Sequence, residues 1–154
     1  MLAVFWRDIV LAVLPTAEVA EGADERVVAA AQERLGQTFP EDLAGLLRET
    51  DGVRGEHGLD VVWPVERIVR DNVEFRTFPD FKDLYAPFDD LLFFGDNGGG
   101  DQFAYRPGDP SGAVLVWDHE TDERRPVATN LADYLTRILI AEGDTWYDGT
   151  QHTP

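Results

Sequence analysis

Apolar positions follow a helical rhythm in the first part of this chain and a strand rhythm after its midpoint. Met1 to Leu14 is strongly apolar, and the spacing predicts a helix over 1–14 that stops before Pro15, because the residue ahead of a proline is held out of the helical region. Thr16 to Ala23 reads as a connector. Val27, Val28, Ala31 and Leu35 then recur at helical spacing, with Asp24 as the cap and Gly36 as the stop. Pro40 reads as the first residue of the next helix, with Leu43, Leu46 and Leu47 facing inward and Gly52 ending it. Gly55 to Gly58 is a turn, Leu59 to Trp63 a short strand, and Pro64 starts a helix through Val65, Ile68, Val69 and Val73.

Beyond that point the pattern is aromatic. Phe75, Phe78, Phe81, Leu84, Tyr85 and Phe88 predict a short helix plus loop. Strands are expected over 91–95, 102–106 and 113–118, with a further short one at Val127-Ala128. Residues 106–112 form the Pro- and Gly-rich turn between the second and third. Asn130 caps a last helix carrying Leu131, Tyr134, Leu135, Ile138 and Leu139. Asp144 to Pro154 lacks periodicity and reads as a frayed tail that Trp146 and Tyr147 could pin to the body. The sum is an α+β domain spanning 1–154, with helices packed on a mostly antiparallel or mixed sheet of about four to six strands.

Three stretches carry a family resemblance. The first is Glu33-Arg34-Leu35-Gly36-Gln37-Thr38-Phe39-Pro40, followed by Leu43, Leu47 and Thr50-Asp51-Gly52. The second is the apolar run Leu91 to Phe94 entering Gly95-Asp96-Asn97-Gly98-Gly99-Gly100-Asp101, with Phe103 and Tyr105 leaving it. The third is Val114-Leu115-Val116-Trp117-Asp118-His119-Glu120. Together they resemble the SUKH superfamily, which includes Smi/Knr-type fungal cell-wall-synthesis regulators and bacterial immunity proteins. The resemblance spans roughly residues 25–140. It implies the α+β fold and a protein that binds another protein. Gly36, Pro40, Gly52, Gly95, Gly98, Gly99, Gly100, Trp117, Asp118 and His119 are the positions that carry it, as marks of the fold.

Charge sharpens the kind of partner. Thirteen basic against thirty acidic residues give −17, with a pI near 4.3. Such a chain repels phosphate backbones, so nucleic acid is not expected, whereas a basic protein is drawn in from a distance. The absence of cysteine removes disulfides and thiolate metal sites. No export signal is evident at the start of the chain, and its apolar stretch is shorter than a membrane span, so a cytoplasmic location without membrane contact is expected.

The residues themselves suggest little chemistry. The Asp96–Asp101 turn lacks the Gly-Lys-Ser/Thr of a phosphate loop and the acidic spacing of a calcium loop, and reads as a hairpin connection. Asp118 and His119 are neighbours that point to opposite faces if the strand runs through them. None of His57, His119 and His152 has the helical spacing of a zinc pair. Ser111, the single serine, lies in a turn rather than a nucleophile elbow. A metal-binding alternative draws on Asp96, Asp101 and His119, but no catalytic residue, metal or cofactor is expected. The favoured reading is an immunity protein that binds a basic toxin domain through Asp96, Asn97, Asp101, Asp118 and Glu120.

Overall fold

The computed structural model describes residues 5–141 and 146–147. Helix α1 (Trp6–Val13) buries Trp6 and Val10 and gives way at Leu14, which Pro15 holds extended. Residues 1–4 of the expected helix lie outside the described residues. The supposed connector contains a two-residue strand, β1 (Glu18–Val19). In α2 (Glu25–Leu35) Asp24 accepts the Arg26 amide, and Gly36 closes the helix in the left-handed region. Pro40 sits one residue ahead of α3 (Glu41–Glu49) with extended ψ, and Thr50 rather than Gly52 caps its end. Leu43, Leu46 and Leu47 are buried as their spacing requires.

Strands β2 (Val53–Arg54) and β3 (Asp60–Val62) complete an antiparallel sheet of order β1-β2-β3. Helix α4 (Val65–Thr77) follows Pro64, and α5 (Pro79–Leu84) follows at once. A second antiparallel sheet holds β4 (Leu92–Asp96), β5 (Gln102–Tyr105), β6 (Val114–Trp117) and β7 (Arg124–Ala128), in that order. Helix α6 (Leu131–Leu139) closes the order, its Asn130 cap accepting the Asp133 amide. The fold is α+β, but with two sheets where the sequence suggested one. Strands of two residues are too short to show alternation, so β1 and β2 leave no periodic trace.

Strands β4 and β6 are buried along their whole length, because both faces of the larger sheet are covered. Phe93 meets Phe75, Phe88 and Trp117 on one face. Phe94, its neighbour, points the other way onto Tyr105 and Tyr134 of α6. The outer edge of β4 is also closed. Asn72 of α4 donates to the Phe93 carbonyl (2.8 Å) and accepts its amide (2.9 Å), while the Trp63 amide donates to the Phe94 carbonyl (2.7 Å). An edge strand saturated in this way offers no template to another chain. No helix among the described residues is long and apolar enough to cross a membrane.

Candidate functional site

The Asp- and Gly-rich turn between β4 and β5 is built inward. Asp96 is only 8% exposed. Its Oδ2 accepts from Trp63 Nε1 (2.9 Å) and Arg67 Nη2 (2.5 Å), and its Oδ1 accepts the Gly98 amide (2.8 Å). Arg67 also bonds Asp60 and Asp71, and its guanidinium lies 4.3 Å from the centre of the Trp63 ring. Burial works against the Arg67 charge, yet the bonds and fields of Asp71 and Asp96 raise its pKa above the ordinary arginine value. Asp96 therefore ties the end of β3, one face of α4 and the turn to a single point.

The far side of the turn is tied as firmly. Asn97 is 6% exposed; its Oδ1 accepts the amides of Gly99 (2.8 Å) and Asp101 (3.1 Å), and its Nδ2 donates to the Tyr147 hydroxyl (3.1 Å). Asp101 is 7% exposed. Its Oδ1 accepts the His119 amide (3.1 Å) and lies 2.6 Å from His119 Nδ1, while its Oδ2 accepts from the buried Tyr147 hydroxyl. Trp146 stacks on Phe103, so both described aromatics of the tail rest on the body.

Strand β6 stops at Trp117, and this changes the geometry of the residues that follow it. Asp118 and His119 enter a turn in which Asp118 Oδ1 accepts the Glu120 amide (2.9 Å). They do not diverge as continuing strand residues would. One ligand atom each from Asp101, Asp118 and His119 lies within 4.8 Å of the other two. Among the described residues these three are the group that could hold a cation, although both Asp101 oxygens already have partners; Asp96, which the metal-binding alternative set beside Asp101 and His119, is not in it. The antiparallel pairing of Gln102 with Trp117 explains the convergence, since it sets residue 101 opposite residue 118. That register was recoverable from the strands expected in the sequence.

The bond to Asp101 raises the pKa of His119 above the 6.5 of a free imidazole; burial opposes the shift, and the fields of Asp101, Glu120 and Asp118 add to it. An imidazole backed by a buried carboxylate is the geometry of a general base. The cleft of about 1120 Å³ bounded by His57, Arg67, Asp96, Gly98, Leu139 and neighbouring residues does not include His119. Ser111 stands in the exposed β5–β6 turn. His57 lies in that cleft's wall with a positive φ, and His152 is outside the described residues.

The turn after β6 also grips the loop behind α5. Tyr85 donates its hydroxyl to the His119 carbonyl (3.2 Å), and the Ala86 amide donates to Asp122 Oδ2 (3.0 Å). Asp122 Oδ1 accepts the Trp117 indole (2.8 Å), and Arg124 donates to the carbonyls of Ala86 and Pro87. Burial opposes the Asp122 charge, but the bonds from Ala86, Trp117 and Arg124 prevail and lower its pKa.

The five residues expected to touch a partner thus separate into two groups. Asp96, Asn97 and Asp101 are internal, with their polar atoms spent on Trp63, Arg67, His119, Tyr147 and the turn's own amides, so they do not form an open acidic face. Asp118 is partly exposed, and the Glu120 side chain is 81% exposed. The signal absent from the sequence was that buried Trp and Tyr side chains need polar partners. Comparison with known proteins agrees with the architecture. No curated protein matches the chain. The model of the SMI1/KNR4 family (SUKH-1) matches residues 22–137, from the approach to α2 into α6 and through both the Gly-rich turn and the Trp117-Asp118-His119 stretch. With three quarters of its length matched, the chain belongs to the SMI1/KNR4 family (SUKH-1).

Proposed function

We propose that this is a non-enzymatic protein-binding domain that acts as a bacterial immunity protein, holding a basic toxin domain in the cytoplasm and blocking its active site or its substrate's approach. Family membership over residues 22–137 is the observation that carries this reading. The charge of −17 supports it, because a toxin that handles nucleic acid has a cationic groove, and opposite fields speed and orient the encounter. Asp118 and Glu120, at the rim of the turn after β6, are the proposed contacts. The internal Asp96, Asn97 and Asp101 hold that rim in shape. The resemblance to Smi/Knr-type regulators supports a second reading as a scaffold in cell-wall synthesis, which would use the same kind of surface for another partner.

A tagged copy expressed in its native host separates the two readings. Near-stoichiometric capture of a basic toxin fragment whose activity falls to zero on titration is the expected result. Recovery of an envelope-synthesis protein with no toxin would replace immunity by regulation. With the toxin in hand, Asp118→Asn combined with Glu120→Gln should weaken binding and flatten its salt dependence. Unchanged affinity and salt slope would remove these two residues from the interface.

A further inference from the structure

Most exposed large apolar side chains are unremarkable singly, and Phe5 lies next to, and Ile140 two residues from, residues outside the described range. Phe78 and Leu84 differ, because they stand at the two ends of one short helix. Leu84 is 67% exposed and Phe78 40%. Within α5, Asp80 and Leu84 are four residues apart and Asp83 adjoins them, so all three share the outward face. Phe81 and Tyr85 take the inward face and pack on Phe75 and Phe88. Leu84 is thus displayed beside two carboxylates, on the face opposite the aromatic base.

The display is rigid. Behind α5, residues 85–89 are held by Tyr85 on the His119 carbonyl, Ala86 on Asp122, Arg124 on the Ala86 and Pro87 carbonyls, and Gln37 on the Asp89 carbonyl (2.9 Å). A surface fixed in advance loses little entropy on binding. Asp89 and Asp90 add carboxylates beyond the helix; Asp90 pairs with Arg106 (3.5 Å) and lies 4.0 Å from Arg124, while Lys82 is the one basic residue of α5 itself.

We propose that α5 and the loop to Asp90 form the docking face for a cationic protein, with Leu84 entering an apolar pocket and Asp80 and Asp83 pairing with basic residues at its rim. The inference rests on the protein-binding reading above and extends its surface from the turn of Asp118 and Glu120 to α5, the two being joined where the Tyr85 hydroxyl meets the His119 carbonyl. Charge selects the occupant. A second copy would bring another −17 chain against the same carboxylates, and nucleic acid or an anionic membrane would be repelled. A basic protein with an apolar depression satisfies both parts of the face.

The test uses a short amidated Arg/Leu peptide as probe and an Arg/Ser peptide of equal charge as control, followed by amide chemical shifts in the full chain. The Arg/Leu peptide should perturb residues 78–90 selectively. Leu84→Ser should weaken it about tenfold, and Asp80→Asn with Asp83→Asn by a similar factor. Glu18→Gln with Glu21→Gln, which lowers the charge equally elsewhere, should leave it unchanged. Leu84, Asp80 and Asp83 are exposed, and retained circular dichroism and midpoint would show that their variants stay folded. Shifts scattered over all acidic faces, or equal binding of the Arg/Ser peptide, would overturn the proposal. Immunity is judged separately, by toxin neutralisation. Selective peptide docking without neutralisation would keep this face and remove the immunity role; neutralisation without selective docking would do the reverse.

Discussion

The two turns that flank β5 have nearly the same vocabulary and opposite roles. Residues 97–101 are Asn, Gly, Gly, Gly and Asp; residues 106–112 are Arg, Pro, Gly, Asp, Pro, Ser and Gly. Each joins neighbouring antiparallel strands of one sheet. In the second turn the hydrogen bonds are local: the Asp109 amide reaches the Arg106 carbonyl, and the Ser111 amide reaches Asp109 Oδ1. In the first, Asp96, Asn97 and Asp101 reach Trp63, Arg67, His119 and Tyr147, far away in sequence. Turn composition sets backbone conformation. Whether a turn closes a hairpin or locks several elements together depends on partners supplied by the rest of the fold.

The sharpest way to break the contrast is at the entry to the first turn. A Cβ on Gly95 would lie 2.3 Å from the Val61 carbonyl oxygen and 2.8 Å from the Tyr134 hydroxyl, and those two groups already bond at 2.6 Å. Neither the backbone of β3 nor a wholly buried tyrosine can move aside cheaply. Gly95→Ala should cost about 3–5 kcal/mol, read from the denaturation midpoint. A loss below about 1 kcal/mol would mean that β3 and β4 do not need this close approach.

Carboxylates should rank next. Asp101→Ala removes the acceptor for the His119 amide and ring and for the Tyr147 hydroxyl, a loss of about 2–4 kcal/mol. Asp109→Ala in the exposed turn should leave the midpoint unchanged. Equal effects at the two positions would dissolve the distinction between the turns.

Glycines inside the turns give a smaller version of the same contrast. Gly100 has φ +115, and a Cβ there would stand 2.9 Å from the His119 ring. Gly108 has φ +93 with open space around it. Gly108→Ala meets conformational strain alone, about 1 kcal/mol, whereas Gly100→Ala must also displace the imidazole, for about 2–3 kcal/mol. In the Gly100→Ala protein the His119 resonances should move. If they stay in place while stability falls, the loss is strain only.

These contrasts also mark what a sequence can display. Asp24, Asn130 and Gly36 act within a few residues of themselves, so their capping roles were legible, as were the buried faces of α3 and α6 and that of α2 except for Val27, which is exposed. The strand cores at 92–96, 102–105 and 114–117 were legible because apolar runs between Gly- and Asp-rich turns have few other uses. Asn72 clamping Phe93, Asp96 meeting Trp63 and Arg67, and Asp101 meeting His119 and Tyr147 are another matter. Each depends on a partner more than fifteen residues away, and a polar residue in a turn carries no local sign of burial. Register alone sets residue 118 opposite residue 101, and nothing local in the sequence puts the His119 ring on that carboxylate.

The smallest effect is the one that isolates the His119–Asp101 contact from all others. His119 faces Asp101, Asp118 and Glu120, and the Tyr85 hydroxyl meets its carbonyl. Its folded pKa is raised above the 6.5 of the unfolded chain, first by the bond to Asp101. A raised histidine pKa contributes stability that is fully present below the unfolded value and fades as pH climbs through the folded one. The midpoint difference between the wild type and His119→Gln should therefore be largest below the unfolded value of 6.5 and shrink as pH climbs above it through the folded one. Asp109 provides the opposite sign in the other turn. The Ser111 amide lowers its pKa, so any contribution would fade only in acid, and its exposure to solvent should leave that contribution below detection. An Asp109→Asn difference that stays flat while the His119→Gln difference falls with rising pH would assign the neutral-range pH dependence to the inward turn. A His119→Gln difference that does not change with pH would mean the imidazole keeps its place without its charge, by its ring hydrogen bond and packing alone.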